Sequence, residues 1–475
     1  MLYWKNMKIK LTILFLIFIC LITTGFGCKG GDPAAKKALL KQVELKMWGI
    51  FDPSDAFSKI IAAYRIAHPN VRISYYKLRW EDYEKKLIEG WAEGEGPDIF
   101  VVHNTWLGKY QSKILPMPQR IKLPTLEQSG FLKKEKKAVI KEFPTLTPYQ
   151  VKNIFPDVVY KDVVKNNLIY GLPLSVDTLS LFYNREHLNA AGLTQPPATW
   201  QELTEVTKKL TRQNEEGEII RSAIALGGAN NINRSNDILS LLMMQNGTQM
   251  VGPQGQIAFN RPSSHDRNFY PGEQALRFYT DFALPSKEVY TWNNNLPEAL
   301  ELFSAGKLSM MFGFAYQIPL IRAQAPKVDL GIAPVLHINK DGTDSLGLPV
   351  NLASYWCYTV FKRTKYPNEA WDFLNFMSTK KYKDEKGNIR YYVENYLNKT
   401  QKPPALKSLI SKYKSQYPER APFAEQILTA KSWYRGKNPN YANQIFKQMI
   451  ENVIQGKSTP RNAINTAAQA ISQTY

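Results

Sequence analysis

Cysteine is almost missing from this chain: there are three in 475 residues, at 20, 28 and 357. A disulfide-stapled fold is therefore excluded, and stability has to come from a packed core. Histidine is nearly as scarce. The five residues at 68, 103, 187, 265 and 337 show no His-Glu-x-x-His or other metal-ligand spacing, so no metal site and no cofactor is expected. Nucleophile-elbow, Ser/His/Asp and phosphate-cradling glycine patterns are also absent, which argues against catalysis. After residue 22 there is no long apolar run, so the body of the chain lacks a further membrane span.

What is present begins with the first 28 residues. Lysines at 5, 8 and 10 precede an apolar run at 11–22, followed by Gly25-Phe26-Gly27-Cys28. A cationic flank, a short apolar core and small residues before a cleavage point form an export signal. The cysteine directly after the small residues points to lipoprotein processing, with Cys28 as the lipidated new N-terminus. Gly25 stands where the usual lipoprotein box has leucine. The expected location is the outer face of the cytoplasmic membrane, held by a lipid anchor. Residues 29–42 then read as a polar tether.

The formal charge is +20, and it falls to +17 once the three leader lysines are gone. Basic chains bind polyanions, but these lysines are dispersed and no zinc-finger or ribonucleoprotein signature accompanies them, so nucleic acid is not the expected partner. Attraction to anionic lipid headgroups or cell-wall polymers fits better. The one dense patch, at 132–141, reads as the solvated face of a helix.

Hydrophobic periodicity predicts an α/β chain. Val43, Leu45 and Met47 alternate as a strand, and a helix follows at 55–67 with Ser54 as its cap. Residues 71–75 alternate again, a helix covers 80–92, and the apolar run 99–102 marks a strand covered on both faces. This order implies a parallel sheet. The pattern restarts with strands near 168–173 and 179–183, and Thr199 and Glu202 form a capping box for a helix to 210. Further helices are expected at 237–245, 273–282, 297–305 and 368–377, with strands at 308–314, 330–334 and 354–361. Residues 339–344, Asn-Lys-Asp-Gly-Thr-Asp, lack the ligand series of a calcium loop and read as a hairpin turn.

Six segments in register resemble one family: 45–52 (Leu-Lys-Met-Trp-Gly-Ile-Phe-Asp), 96–99 (Gly-Pro-Asp-Ile), 170–188, 196–203, 303–311 (Phe-Ser-Ala-Gly-Lys-Leu-Ser-Met-Met) and 369–376. The chain is similar to the extracellular solute-binding proteins of family 1, the maltose-binding-protein-like receptors of ABC importers. That resemblance implies a two-lobed type II periplasmic-binding-protein fold with a ligand cleft at a multi-strand hinge. It implies crossings near 174–181 and 331–336, with lobe 1 formed by 43–173 plus about 336–380 and lobe 2 by 174–335 plus about 381–475. The implied partners are a small polar solute of the carbohydrate class and membrane permease subunits, for a monomer that is not an enzyme. The rival readings are a surface lipoprotein for adhesion or sensing, and a glycan-active enzyme.

A sugar presents an apolar ring face and a rim of hydroxyls, so its site needs flat aromatic side chains beside carboxylates and amides. Candidates at strand ends are Trp48, Asp52, Asn104 and Trp106. Asp177 falls in the first crossing, where the resemblance implies an acidic sugar ligand. Asn231 and Arg234 lie in a polar loop, Tyr316 follows a strand, and Asn351, Tyr355 and Trp356 cluster near the later crossing. Alternation allows either Trp356 or its neighbours Tyr355 and Cys357 to face the ligand, not all three. Asp98 reads as a structural turn acid and Trp200 as a packing residue.

Overall fold

The computed structural model describes residues 32–129, 135–338 and 349–475. The leader with Cys28, and the turn expected at 339–344, lie outside them. In chain order the elements used below are α1 (Pro33–Leu40), β1 (Val43–Gly49), α2 (Asp55–Ala67), β2 (Val71–Lys77), α3 (Trp80–Glu93), β3 (Ile99–His103), β4 (Arg120–Ser129), β5 (Glu135–Pro144) and α4 (Asp157–Val163). The middle of the chain gives β6 (Leu172–Pro173), β7 (Asp177–Thr178), β8 (Ser180–Asn184), α5 (Trp200–Leu210), β9 (Arg212–Gln213), β10 (Ile219–Ile224), α6 (Ser235–Gln245), β11 (Leu308–Gly313) and β12 (Leu330–Ala333). The last part gives β13 (Asn351–Ser354), β14 (Trp356–Val360), α7 (Pro367–Thr379), α8 (Val393–Thr400), β15 (Ala430–Lys431), α9 (Pro439–Ile454) and α10 (Pro460–Ser472).

Two five-stranded sheets organise two separate hydrophobic cores. In the first, ordered β2-β1-β3-β14-β6, β1 runs parallel to β2 and β3 while β14 returns antiparallel, with Trp356 opposite His103. Ile99, Phe100, Val101 and Val102 are all buried, as expected of a strand covered on both faces. The second sheet is ordered β9-β10-β11-β8-β12. Its central strand β11 is buried along its whole length. Helix α5 is held at its start by Thr199, whose hydroxyl accepts the Glu202 N–H at 3.1 Å. The Glu202 carboxylate reaches one residue further back than a capping box requires, to the Ala198 N–H. Ser54, by contrast, makes no side-chain cap for α2.

The chain passes between the cores three times, and at each passage it contributes one strand to a small third sheet ordered β15-β13-β7. β13 pairs antiparallel with β7, Ser354 opposite Asp177, and parallel with β15, Asn351 opposite Ala430. The first passage lies between Val176, which packs in the first core, and Leu179, which packs in the second. The second does not fall at 331–336: β12 is an edge strand of the second sheet, and Val335, Leu336, Val350 and Leu352 still pack in the second core, whereas Ala353 and Tyr355 pack in the first. The tail divides as well. Val393, Tyr396, Leu406 and Tyr413 join the first core, and only from Tyr434 onward does the chain settle in the second.

Two other expectations are corrected. Residues 135–144 of the lysine-rich stretch are strand β5, not a helix face, because Val139 and Ile140 pair with Thr125 and Pro124 while Ile121 and Leu123 bury the inner side. Within the supposed tether, residues 33–40 form helix α1, capped by Asp32 and packed on both strands of that hairpin, with Ala35 fully buried.

Just past the third passage, residues 432–436 are gripped by both halves. Trp433 lies against Phe259 and Phe446 of the second core and donates to Ser240 Oγ at 3.1 Å. Ser432 and Arg435 turn the other way, to Asp162 of α4. A Cβ on Gly108 would stand 2.3 Å from the Arg435 carbonyl oxygen and 2.6 Å from that of Gly436. Gly108→Ala is therefore expected to destabilise the protein by about 1–3 kcal/mol, measured by urea unfolding; an unchanged midpoint would contradict this packing.

Candidate functional site

Parallel β1, β2 and β3 all end at one edge of the first sheet, and β14 starts there. The residues that follow the strand ends are consequently gathered together, as at the carboxyl edge of open α/β sheets generally. Phe51 comes from the turn after β1, Trp80 from the first residue of α3, Trp106 from the turn after β3, and Trp356 from the start of β14. Phe51 and Trp80 have ring centroids 6.0 Å apart, and Trp80 and Trp106 are 5.3 Å apart. Trp356 meets all three edge-on, at 5.7, 5.7 and 5.6 Å, an arrangement favoured by the ring quadrupoles. Phe51 is 53% exposed and Trp80 43%, whereas Trp106 is buried beneath them. Alternation along β14 resolves the Tyr355-Trp356-Cys357 choice: the flanking two are buried in the core.

The polar candidates of this half are engaged by protein groups. Asp52 accepts from Lys402 Nζ at 2.5 Å, Tyr396 OH at 2.9 Å and Tyr358 OH at 3.4 Å, and Tyr75 OH donates to its backbone carbonyl at 2.9 Å. Burial alone would lower the Lys402 ammonium, but Tyr396 and Asp52 hold it above its ordinary value. Asp52 thus fixes the turn that presents Phe51. Asn104 and Tyr355 converge on buried Asp162, which accepts from Asn104 Nδ2 at 3.2 Å, Tyr355 OH at 2.8 Å, Ser432 Oγ at 2.5 Å and Arg435 at 2.8 Å. Trp48 lies apart from the aromatic group, its ring over Gly90 of α3.

The second half contributes Arg234, Tyr316 and the surroundings of Asp177. The Arg234 guanidinium lies 4.7 Å from the Phe314 ring centroid, pairs with Asp237 and reaches Ser354 Oγ of β13 at 3.4 Å. On the other side, Ser354 Oγ is 3.0 Å from His103 Nε2. A polar chain therefore runs from the second half through the crossing strand to the first. Burial, reinforced by the Arg234 charge, takes His103 down to about 3, so it is neutral at physiological pH. Tyr316 is 46% exposed and its ring parallels that of Phe314. Asn231 and Asn351 are used internally. The first accepts from Trp292 Nε1 and donates to the carbonyls of Asn293 and Leu296; the second donates to the Leu179 carbonyl. Asp98 accepts from the Lys46 N–H and the Thr364 hydroxyl, and Trp200 is buried, both as structural residues.

Sequence reasoning missed Phe51 and Trp80 as site members, along with His103, Asp162, Ser354 and Lys402. Trp80 had the position of a helix start directly after a strand, a usable signal; Asp162 and Lys402 carried none. Among the described residues no cluster of His, Cys, Asp or Glu could hold a metal ion. A concavity of about 690 Å³ is lined by Arg185, Arg322, Asp329 and Glu419 with Ile321 and Val328 among others, and none of the candidates takes part in it.

Asp177 sits at the crossing with its carboxyl half-buried, accepting the Thr178 N–H at 2.9 Å. Burial raises it from 3.8 to about 7, against the downward pull of the Ala315, Thr178 and Tyr316 amides and of Lys402. The folded chain then holds this proton where the unfolded chain has lost it, so stability from this group declines as pH rises from about 4 to 7. Asp177→Asn is expected to remove about 1–2 kcal/mol of that decline, a figure reduced for partial exposure of the carboxyl. Urea unfolding of both proteins at pH 5 and pH 8 checks it; equal pH slopes would contradict the assignment.

The family description for bacterial extracellular solute-binding proteins matches residues 51–384. The galactooligosaccharide-binding protein of Bacillus subtilis is 21% identical over 451 residues, covering 93% of this chain and 92% of its own. Among solved structures, the cyclic alpha-maltosyl-1,6-maltose binding protein of Arthrobacter globiformis superposes with a TM-score of 0.66 at 19% identity, over 91% of this chain and 98% of its own. An ABC transporter solute binding protein from Thermotoga lettingae, bound with alpha-D-tagatose, gives 0.62 at 18% identity, over 91% and 99%. At these identities the structural likeness establishes the two-lobed fold.

Proposed function

This chain belongs to the bacterial extracellular solute-binding protein family, and we propose that it is the substrate-binding lipoprotein of an ABC importer, taking a small saccharide or oligosaccharide as its solute. The observation that carries this reading is the aromatic wall of Phe51, Trp80 and Trp356 on the first half, joined through Ser354 to Arg234 on the second, with Tyr316 and Asp177 beside it. Aromatic faces suit the apolar faces of sugar rings, and hydroxyls suit a guanidinium, a phenol and a carboxyl. That the Bacillus and Arthrobacter relatives are named for oligosaccharides supports the same class.

The three crossing strands act as the hinge. A solute touched by both halves makes its full set of contacts only when they close, so it shifts the equilibrium by that difference in affinity. The permease then has a shape to recognise, and the lipid on Cys28 keeps the receptor at the outer face of the membrane. Nothing in this scheme needs bond breaking, and Asp52, the acid that a glycosidase reading would pair with Asp177, is occupied by Lys402.

A thermal-shift screen of mono- and oligosaccharides is expected to yield a stabilising solute with saturable binding by calorimetry. Trp356→Ala is expected to weaken that binding at least tenfold, about 1.4 kcal/mol, measured well below its unfolding temperature, which falls because the indole packs on three rings and His103. Unchanged affinity would remove the aromatic wall from the site, and turnover of a glycoside would replace binding with catalysis.

A further inference from the structure

We propose that the unit made by helix α1 and the hairpin β4–β5 rests on the surface of an anionic lipid bilayer and so fixes how the first lobe stands on the membrane. The inference depends on the lipid anchor at Cys28 put forward above. Only three residues lie between Cys28 and Asp32, the cap of α1, a span of at most about 14 Å. Because α1 packs on both strands of the hairpin, the anchored end of the chain and the hairpin arrive at the membrane together.

The chemistry of the unit's exposed side chains fits that position. Ala35 faces inward, which leaves Lys36, Lys37 and Leu40 on the outward stripe of α1, Leu40 being 73% exposed. On the hairpin, Leu126 (53% exposed) and Ile140 (45% exposed) share a face with Lys122, since Pro124 and Ile140 are opposite each other and β-strand side chains alternate. The acids Glu127 and Glu142 are each paired with a cation of the opposite strand, Lys141 at 2.8 Å and Arg120 at 3.3 Å. Lys36 and Lys37 belong to no ion pair among the described residues, and Lys122 stands opposite Glu142, whose carboxylate pairs with Arg120. Exposed leucine and isoleucine among lysines are suited to the headgroup boundary, where apolar tips enter and ammonium groups meet anionic lipid. The hairpin belongs to neither five-stranded sheet, so contact with lipid there leaves the cleft free.

The test uses the mature chain purified from membranes and reconstituted in vesicles, carrying an environment-sensitive fluorophore on Leu126→Cys or, as control, on Ile220→Cys of the second lobe. Cys357 is buried and escapes the label. Vesicles containing phosphatidylglycerol are expected to shift emission at position 126 to the blue and leave position 220 unchanged. The shift is expected to vanish in pure phosphatidylcholine and in the variant K36E/K37E/K122E, whose solute affinity stays as in the parent. Emission at 126 that keeps its solvent value on phosphatidylglycerol overturns the proposal. So does a shift produced by a phosphate-rich cell-wall polymer and not by vesicles. The mass of the N-terminal peptide reports lipidation separately, so an unmodified Cys28 removes the anchor, while excess vesicles still decide the docking.

Discussion

Everything in this molecule turns on how three strands of two to four residues join two large hydrophobic cores. β7, β13 and β15 form one narrow sheet, and backbone pairing makes the three passages a single connection. Three paired strands tie the halves together more closely than a lone linker would. Asp177 lies on β7, Ser354 on β13, and Ser432 just beyond β15.

The exposed rings of the first half are held in place from within the protein. Phe51 is exposed, but its turn is fixed from beneath by the four groups that hold Asp52. Trp356 is braced by three rings and His103. Asp162 performs the comparable service behind the wall, drawing Asn104, Tyr355 and the 432–435 segment to one buried carboxylate. A buried acid with four donors is tolerable because its hydrogen-bonding capacity is filled, and one donor is the Arg435 cation.

Much of the first sheet was legible in the sequence because alternation and helical periodicity are local: β1, β2, β3 and the helices between them fell within a residue or two of their predicted limits. The aromatic character of the site was legible through Trp106 and Trp356, since strand ends in α/β sheets converge on one edge. Side chains whose role depends on distant partners were not. Nothing about Asp52 in its own segment says that Lys402 will reach it, so a residue suited to hydroxyls became a support for its neighbour. Asn231 and Asn351 have the right chemistry for a sugar and spend it on loop carbonyls. In the lysine-rich stretch, charge density masked the pairing of Val139 and Ile140 with a strand that had been given no structure.

The central claim is that a solute is gripped by both halves and brings them together. Small-angle X-ray scattering of the purified protein, with and without saturating amounts of the saccharide that stabilises it most, tests this directly. The account predicts a smaller radius of gyration in the presence of solute. An identical scattering curve at full occupancy would show binding to one lobe alone and would contradict it.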